Sequence, residues 1–284
     1  MIRLQAGDWR AVLNPALGGS VAELEWLGRP VLRPTPRDAV DPLQTACFPL
    51  VPYANRIADG RFVFGGRARD VGVTPGFEPH ALHGLGWRRP WEVERADPAE
   101  AVLTFRHPGG GEWPWAFSAG QRFQLSGRGL RITLSMTNQD SETQPAGLGL
   151  HPYLNRLPDD RLTVAAPRVW RSDDTLIPRE RVPAPAVFDW SDGPAIADAP
   201  FVDNAYEEWS GLARLVHADW SVTLASPGTR RVHVYAPRRA GFVCIEPVSH
   251  RPNALNASAD EASGLVILEP GQTLSLSMTI GAGA

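Results

Sequence analysis

Apolar and polar residues alternate with period two along most of this chain. Leu130-Arg131-Ile132-Thr133-Leu134-Ser135-Met136-Thr137 alternates without a break, and so does Leu274-Ser275-Leu276-Ser277-Met278-Thr279-Ile280. Trp220-Ser221-Val222-Thr223-Leu224 and Arg231-Val232-His233-Val234-Tyr235 follow the same rule, which is that of a strand with one buried face. Further strands are predicted at 9–13, 20–27, 62–64, 101–106, 115–125, 162–166 and 265–268. Turn signals punctuate them: Gly18-Gly19, Gly65-Gly66, Pro108-Gly109-Gly110-Gly111, Pro227-Gly228 and Pro270-Gly271. No amphipathic helix longer than two turns can be drawn. Many half-buried strands predict an all-β architecture of two large antiparallel sheets packed face to face. The Pro-rich stretch from Val182 to Pro200 is the nearest thing to a linker, but its Phe188 and Trp190 predict that it packs on the surface. One continuous β domain over residues 1–284 is the simplest expectation.

Composition narrows the function. Apolar residues make up 43% and charged residues 21%, with a net charge of -3, so no nucleic-acid or anionic-membrane partner is expected. All 28 basic residues are arginine, which excludes Schiff-base and lysine-base chemistry. Cys47 and Cys244 are too few for a disulfide framework and lack metal spacing; they are expected as buried free thiols in a cytoplasmic protein. The N-terminus has no apolar signal core and no run reaches membrane-spanning length.

Against this background one strand end stands out. In Phe242-Val243-Cys244-Ile245-Glu246-Pro247 the alternation puts a carboxylate on the face shared with Phe242 and Cys244, where a buried strand rarely places one without a use. Gly147-Leu148-Gly149-Leu150-His151 supplies a counterpart. Read as a strand, it sets Gly147 and Gly149 on the face of His151, where they are expected to clear a cavity beside the imidazole. Asn55-Arg56 follows two prolines and reads as a loop or edge. His80 and His83 stand three apart, but no partner at finger-like spacing supports a metal site. His83, backed by Gly84 and Gly86, could approach a small ligand closely. Asp203-Asn204 follows a long loop, and His233 lines either a cavity or solvent. His107, His217 and His250 have no supporting context and are expected at the surface. An acid–base pair, Glu246 with His151, ringed by Asn55, Arg56, His83 and Asp203 and lacking any phosphate loop or nucleophile elbow, suits proton transfer on a polyhydroxylated substrate.

The same motifs, in order, resemble the aldose 1-epimerase (galactose mutarotase) family. They are Pro52-Tyr53-Ala54-Asn55-Arg56-Ile57 with Gly60 and Phe62, Leu82-His83-Gly84 with Trp87, Gly149-Leu150-His151-Pro152-Tyr153, Val202-Asp203-Asn204, and Cys244-Ile245-Glu246-Pro247 with Pro252-Asn253-Ala254-Leu255-Asn256. The resemblance implies a galactose mutarotase-like supersandwich that interconverts the α and β anomers of a free aldose, with no metal and no cofactor. It implies Glu246 as general base on the C1 hydroxyl and His151 as general acid on the ring oxygen. Arg56, His83 and Asp203 hold sugar hydroxyls on this reading, with Asn55 assisting. The chain departs from the family where Gln-x-Tyr is often found and His233-Val234-Tyr235 stands here, which bears on the identity of the sugar. A small-molecule aldose is the expected partner, and a monomer or weak homodimer the expected state. Two alternatives stay open: a mutarotase for hexose 6-phosphates, with Arg88-Arg89 as phosphate ligands, and a non-catalytic carbohydrate-binding protein on the same scaffold.

Overall fold

A computed structural model describes residues 1–258 and 263–284. Two large sheets dominate it, of eleven and eight strands. Among the described residues, helix is confined to three-residue 3₁₀ turns, and none is long and apolar enough to cross a membrane. The eight-stranded sheet runs Glu92–Ala96, Glu100–Gly110, Trp113–Ser126, Gly129–Asn138, Thr273–Gly283, Ser221–Ala225, Leu212–Val216 and Arg161–Val164. The main path of the eleven-stranded sheet runs Ile2–Ala6, Trp9–Asn14, Ser20–Trp26, Cys47–Leu50, Gly149–Asn155, Phe242–Val248, Arg231–Ala236, Val202–Glu207, Arg168–Ser172 and Pro178–Pro183. One apolar cluster joins the facing sides: Leu13, Leu24 and Val234 from the larger sheet with Phe117, Phe123, Leu134 and Met278 from the smaller. Burial of that apolar area is the main force holding the layers together.

Each strand expected from strict alternation is present, within a few residues of its predicted ends. The strands that alternation did not mark have physical reasons to be silent. Cys47–Leu50 is buried at every position, so no polar face shows in the sequence. Glu92–Ala96 is exposed at every position and forms one charged edge, as befits a strand end that must not recruit another chain. Pro178–Pro183 forms an edge of the larger sheet, where proline costs no ladder bond. It overlaps the start of the Pro-rich stretch, whose Trp190 is fully buried and donates to the Tyr206 hydroxyl at 3.1 Å.

The centre of the larger sheet fixes the positions that matter. Gly149 pairs with Val248 and Tyr153 with Cys244, and between them Pro152 and Pro247 interrupt the ladder. Carrying that register through the gap sets His151 directly opposite Glu246. On their outer sides His151 pairs with Phe48 and Glu246 with His233. A single rung across four strands therefore reads Phe48, His151, Glu246, His233. The next reads Tyr153, Cys244, Tyr235, Asp203.

Candidate functional site

These two rungs, Phe48 and Cys244 apart, form the floor of a cavity of about 370 Å³, whose lining includes Asn55, Arg56, His83, His151, Asp203, His233 and Glu246. The seven side chains singled out in the sequence thus converge on one space. Residues directly opposite on an antiparallel pair point to the same face within side-chain reach, and His151 Nε2 lies 3.2 Å from Glu246 Oε1. His151 is sandwiched, with Phe48 at 4.6 Å and Tyr153 at 4.7 Å, both rings within 27° of parallel. Its ring plane is therefore set by packing. Glu246 is 2% exposed, and its Oε2 meets no hydrogen-bond partner in the protein. A buried carboxyl oxygen without a partner is costly, and a ligand hydroxyl would satisfy it.

The wall opposite comes from the 51–57 and 81–86 segments. They form a two-rung ladder, Arg56 with Leu82 and Ile57 with Ala81, so Arg56 sits on a short edge strand, one of the two settings expected for it. Asn55 and His83 both adopt left-handed backbone, and each segment bonds the other: Asn55 N–H donates to His83 Nδ1 at 3.0 Å and His83 N–H to Asn55 O at 2.9 Å. An Nδ1 that accepts leaves the proton on Nε2, so His83 is a neutral donor. Gly84 is required where it stands. Its φ is 70°, and a Cβ there would lie 2.4 Å from Val51 O. The Pro252-Asn253 motif acts from behind: Asn253 N–H donates to Arg56 O at 2.7 Å and its Oδ1 accepts from Ala58 N–H at 3.0 Å.

Charge in the cavity is arranged in two couples. His233 Nε2 lies 2.6 Å from Asp203 Oδ1, and Arg56 lies 3.9 Å from the other Asp203 oxygen. Burial opposes charge on His233, but the Asp203 hydrogen bond and the Glu246 and Asp203 charges outweigh it, and its pKa is raised. Burial likewise opposes charge on Asp203, and the His233 bond with the Arg56 charge brings its pKa below the ordinary range. The second couple is different. Burial pushes Glu246 up to about 8, against the pull of His233 and Arg56. Burial, with the His233 charge, pushes His151 down to about 3. At neutral pH this pair holds one proton, resting on Glu246 in the free protein. His83 is driven well below its ordinary value by burial and the surrounding cationic groups.

Several expectations from sequence are corrected. Gly147 and Gly149 do not clear space beside His151. A Cβ on Gly147 would fall 1.9 Å from the His250 ring, and one on Gly149 would meet Leu50 and Val248 at 2.9 Å. His250 is buried, not at the surface. Its Nε2 accepts Ala54 N–H at 3.1 Å and its Nδ1 donates to Arg251 O at 2.7 Å, which braces the strand carrying Arg56. His217 is also buried, stacked on Trp220 and 2.8 Å from Asp160. His107 is part-buried, with Nε2 2.7 Å from Trp113 O. Asp203 lies on the Val202–Glu207 strand, after the long loop as expected. His80 is turned away from the cavity to accept Asp59 N–H. Arg88 and Arg89 both pair with Glu112 and do not line the cavity. Both cysteines are buried and free, as expected.

Sequence reasoning missed Arg33. Its guanidinium lies 3.6 Å over the Tyr153 ring and 4.7 Å from Phe242, and it donates to Thr45 O at 2.7 Å. Nothing around Leu32-Arg33-Pro34 signals this, because the contacts are all long-range. The aromatic lining, Phe77, Tyr153, Phe201, Tyr235 and Phe242, contains no tryptophan; Trp9, Trp113, Trp190 and Trp209 are among the largest fully buried core side chains.

Known proteins resemble this chain over most of its length. The chain is 30% identical over 274 residues, 92% of each chain, to the uncharacterized Escherichia coli K12 protein YphB. It is 32% identical to mouse galactose mutarotase over 137 residues, 44% of this chain and 38% of that protein. A crystal structure of a provisionally named aldose 1-epimerase from Escherichia coli K12 superposes with a TM-score of 0.90 at 28% identity, covering 99% of this chain and 98% of that one. The aldose 1-epimerase family model matches residues 1–281, and the chain belongs to that family.

Proposed function

We propose that this protein interconverts the α and β anomers of a free aldose by acid–base ring opening and closure. The observation that carries the proposal is the His151–Glu246 pair: two proton-transfer groups 3.2 Å apart, fixed by strand register and stacking, sharing one proton in a cavity ringed with donors. A volume of about 370 Å³ suits one sugar ring, at the lower end of small-ligand sites. The aldose places its anomeric hydroxyl on Glu246 and its ring oxygen on His151, taking the place of their mutual contact. The reaction needs the shared proton on His151: the pull of His233 and Arg56 on the carboxylate favours that transfer, and burial with the His233 charge on the imidazole opposes it. Glu246 then removes the hydroxyl proton while His151 protonates the ring oxygen. The C1–O5 bond breaks to give the open aldehyde, the C1–C2 bond turns, and closure on the other carbonyl face reverses both transfers. Arg56, His83 and the Asp203–His233 couple hold the remaining hydroxyls, with Asn55 fixing Arg56 through its Oδ1.

One-proton logic sets the pH dependence. The reactive form and the resting form carry the same number of protons, so kcat/KM is level while the pair holds its proton and falls above about pH 8 as Glu246 loses it. The test is exchange NMR on galactose, glucose, arabinose, xylose and fucose with wild type and Glu246→Gln. Wild type should accelerate exchange of at least one, and the variant should lose roughly 10²–10⁴-fold. Wild-type-like exchange in Glu246→Gln sinks the assignment. Pairing of Arg88 and Arg89 with Glu112 removes the phosphate ligands that favoured a hexose 6-phosphate from sequence.

A further inference from the structure

A second cavity, of about 640 Å³, opens where the chain crosses from Gly149–Asn155 in one sheet to Arg161–Val164 in the other. Its rim carries Arg156 from that crossing and Arg238 and Arg239 from the turn between Arg231–Ala236 and Phe242–Val248. Arg156 N–H donates to Gly241 O at 3.0 Å, so the two walls are tied together. We propose that this hollow binds the phosphoryl group of a small phosphate ester, held by Arg156, Arg238 and Arg239.

The case rests on unmatched charge in a shaped space. Among the described residues, none of the three guanidinium groups makes a hydrogen bond, ion pair or ring contact. Asp198 is the one acid on the wall, against three arginines. Asp160, the acid whose charge reaches Arg156, is already engaged by Leu157 N–H at 2.7 Å and His217 at 2.8 Å. Partial burial lowers the pKa of Arg156, with Asp160 resisting, so its charge lacks full solvation and full pairing. Arg181 and Arg231, by contrast, share Glu207; Arg238 and Arg239 are exposed, and what marks them is their place with Arg156 on the rim of one hollow. The larger hollow of about 760 Å³ balances Arg3 and Arg10 with Glu23, Glu25 and Asp97, and has no surplus for an anion. Arg239 also sits in left-handed backbone, φ 61°. Guanidinium forks match phosphate oxygens two at a time. The floor of Ile196, Ala199 and Ala236 is apolar and suits the body of an ester rather than bare phosphate alone. This hollow and the sugar cavity share no lining residue, and whether the phosphoryl group is carried by the aldose itself or by a separate metabolite is decided by the exchange measurements below.

Titration calorimetry of the full chain with inorganic phosphate tests the site. Wild type should bind with a Kd of about 1 mM or tighter. Arg156→Gln, and independently Arg238→Gln with Arg239→Gln, should each weaken binding at least about tenfold, as expected when a charge-assisted hydrogen bond is lost. The control Arg3→Gln with Arg10→Gln should bind as wild type does. No saturable binding to wild type, or equal loss in the control, overturns the proposal. Exchange NMR on a free hexose and its 6-phosphate separates the sources. A KM raised only for the 6-phosphate in the arginine variants places the group on the substrate. Unchanged exchange of both sugars with lost phosphate binding assigns a separate ligand.

Discussion

The two sheets obey different rules. In the eight-stranded sheet, Trp113–Ser126 and Gly129–Asn138 alternate buried and more exposed positions almost throughout, one face in the core and one toward water. In the eleven-stranded sheet, Gly149–Asn155 is buried at every position but the last and Phe242–Val248 at every position but the first, because loops roof the outer face. The difference separates two tasks. A sheet with one wet face needs only apolar residues on the other. A sheet covered on both faces must account for each polar side chain it buries: His233 is held by Asp203, His151 and Glu246 meet each other, and Glu246 Oε2 has no partner in the protein.

The largest effect expected from breaking this contrast is on rate. His151→Asn should lower anomer exchange by roughly 10²–10⁴-fold while the protein stays folded, read by exchange NMR beside circular dichroism. Leu134→Ala in the other sheet, at a position 0% exposed, should do the reverse: a loss of about 2–5 kcal/mol in denaturant unfolding, with exchange per folded molecule unchanged. A rate loss in Leu134→Ala comparable to that in His151→Asn would show that the sheets are not functionally distinct.

Gly147→Ala should fall between them. Its Cβ would meet the His250 ring at 1.9 Å, and His250 holds Ala54 N–H one residue before Asn55. Overpacking should cost about 1–3 kcal/mol in urea unfolding. The displaced loop should raise KM more than it lowers kcat, because in the proposed mechanism Arg56, fixed by Asn55, grips hydroxyls and does not move protons. An unchanged KM would mean that His250 supports stability alone.

The same contrast explains what could be read from sequence. Alternation located the strands of the wet-faced sheet and, through Phe242-Cys244-Glu246, the carboxylate at the cavity floor. It did not find Cys47–Leu50, which has no polar face to show. The glycines before His151 pointed to a histidine that does line the cavity, but for a wrong reason: they make room for His250 and for the close approach of Leu50 and Val248. Small residues in a sequence announce that something approaches, not what. His250 and Arg33 were invisible because their partners, Ala54 and Tyr153, lie far along the chain.

The smallest signal is also the most discriminating: the Tm of Glu246→Gln minus that of wild type, followed from pH 5 to 9. Burial moves the Glu246 pKa from an ordinary 4.5 to about 8. Below 4.5 the folded and unfolded chains both hold the proton, and the glutamine matches it. Between the two values the unfolded chain releases a proton that the folded one keeps, so rising pH draws wild type toward unfolding. Above about 8 both forms are ionised and the penalty is constant. The variant should therefore gain on wild type as pH rises through this window, by an amount on the order of a few °C, and the gain should then level off. His151, depressed to about 3, loses stability as pH falls from its ordinary 6.5, but both proteins carry that histidine and the difference cancels it. Leu134→Ala supplies the reference, since its offset from wild type has no titrating group behind it and should be the same at every pH. A Glu246→Gln offset equally flat would place the Glu246 carboxyl in the ordinary range. The one-proton account of the pair would then fail, even with the fold and the cavity intact.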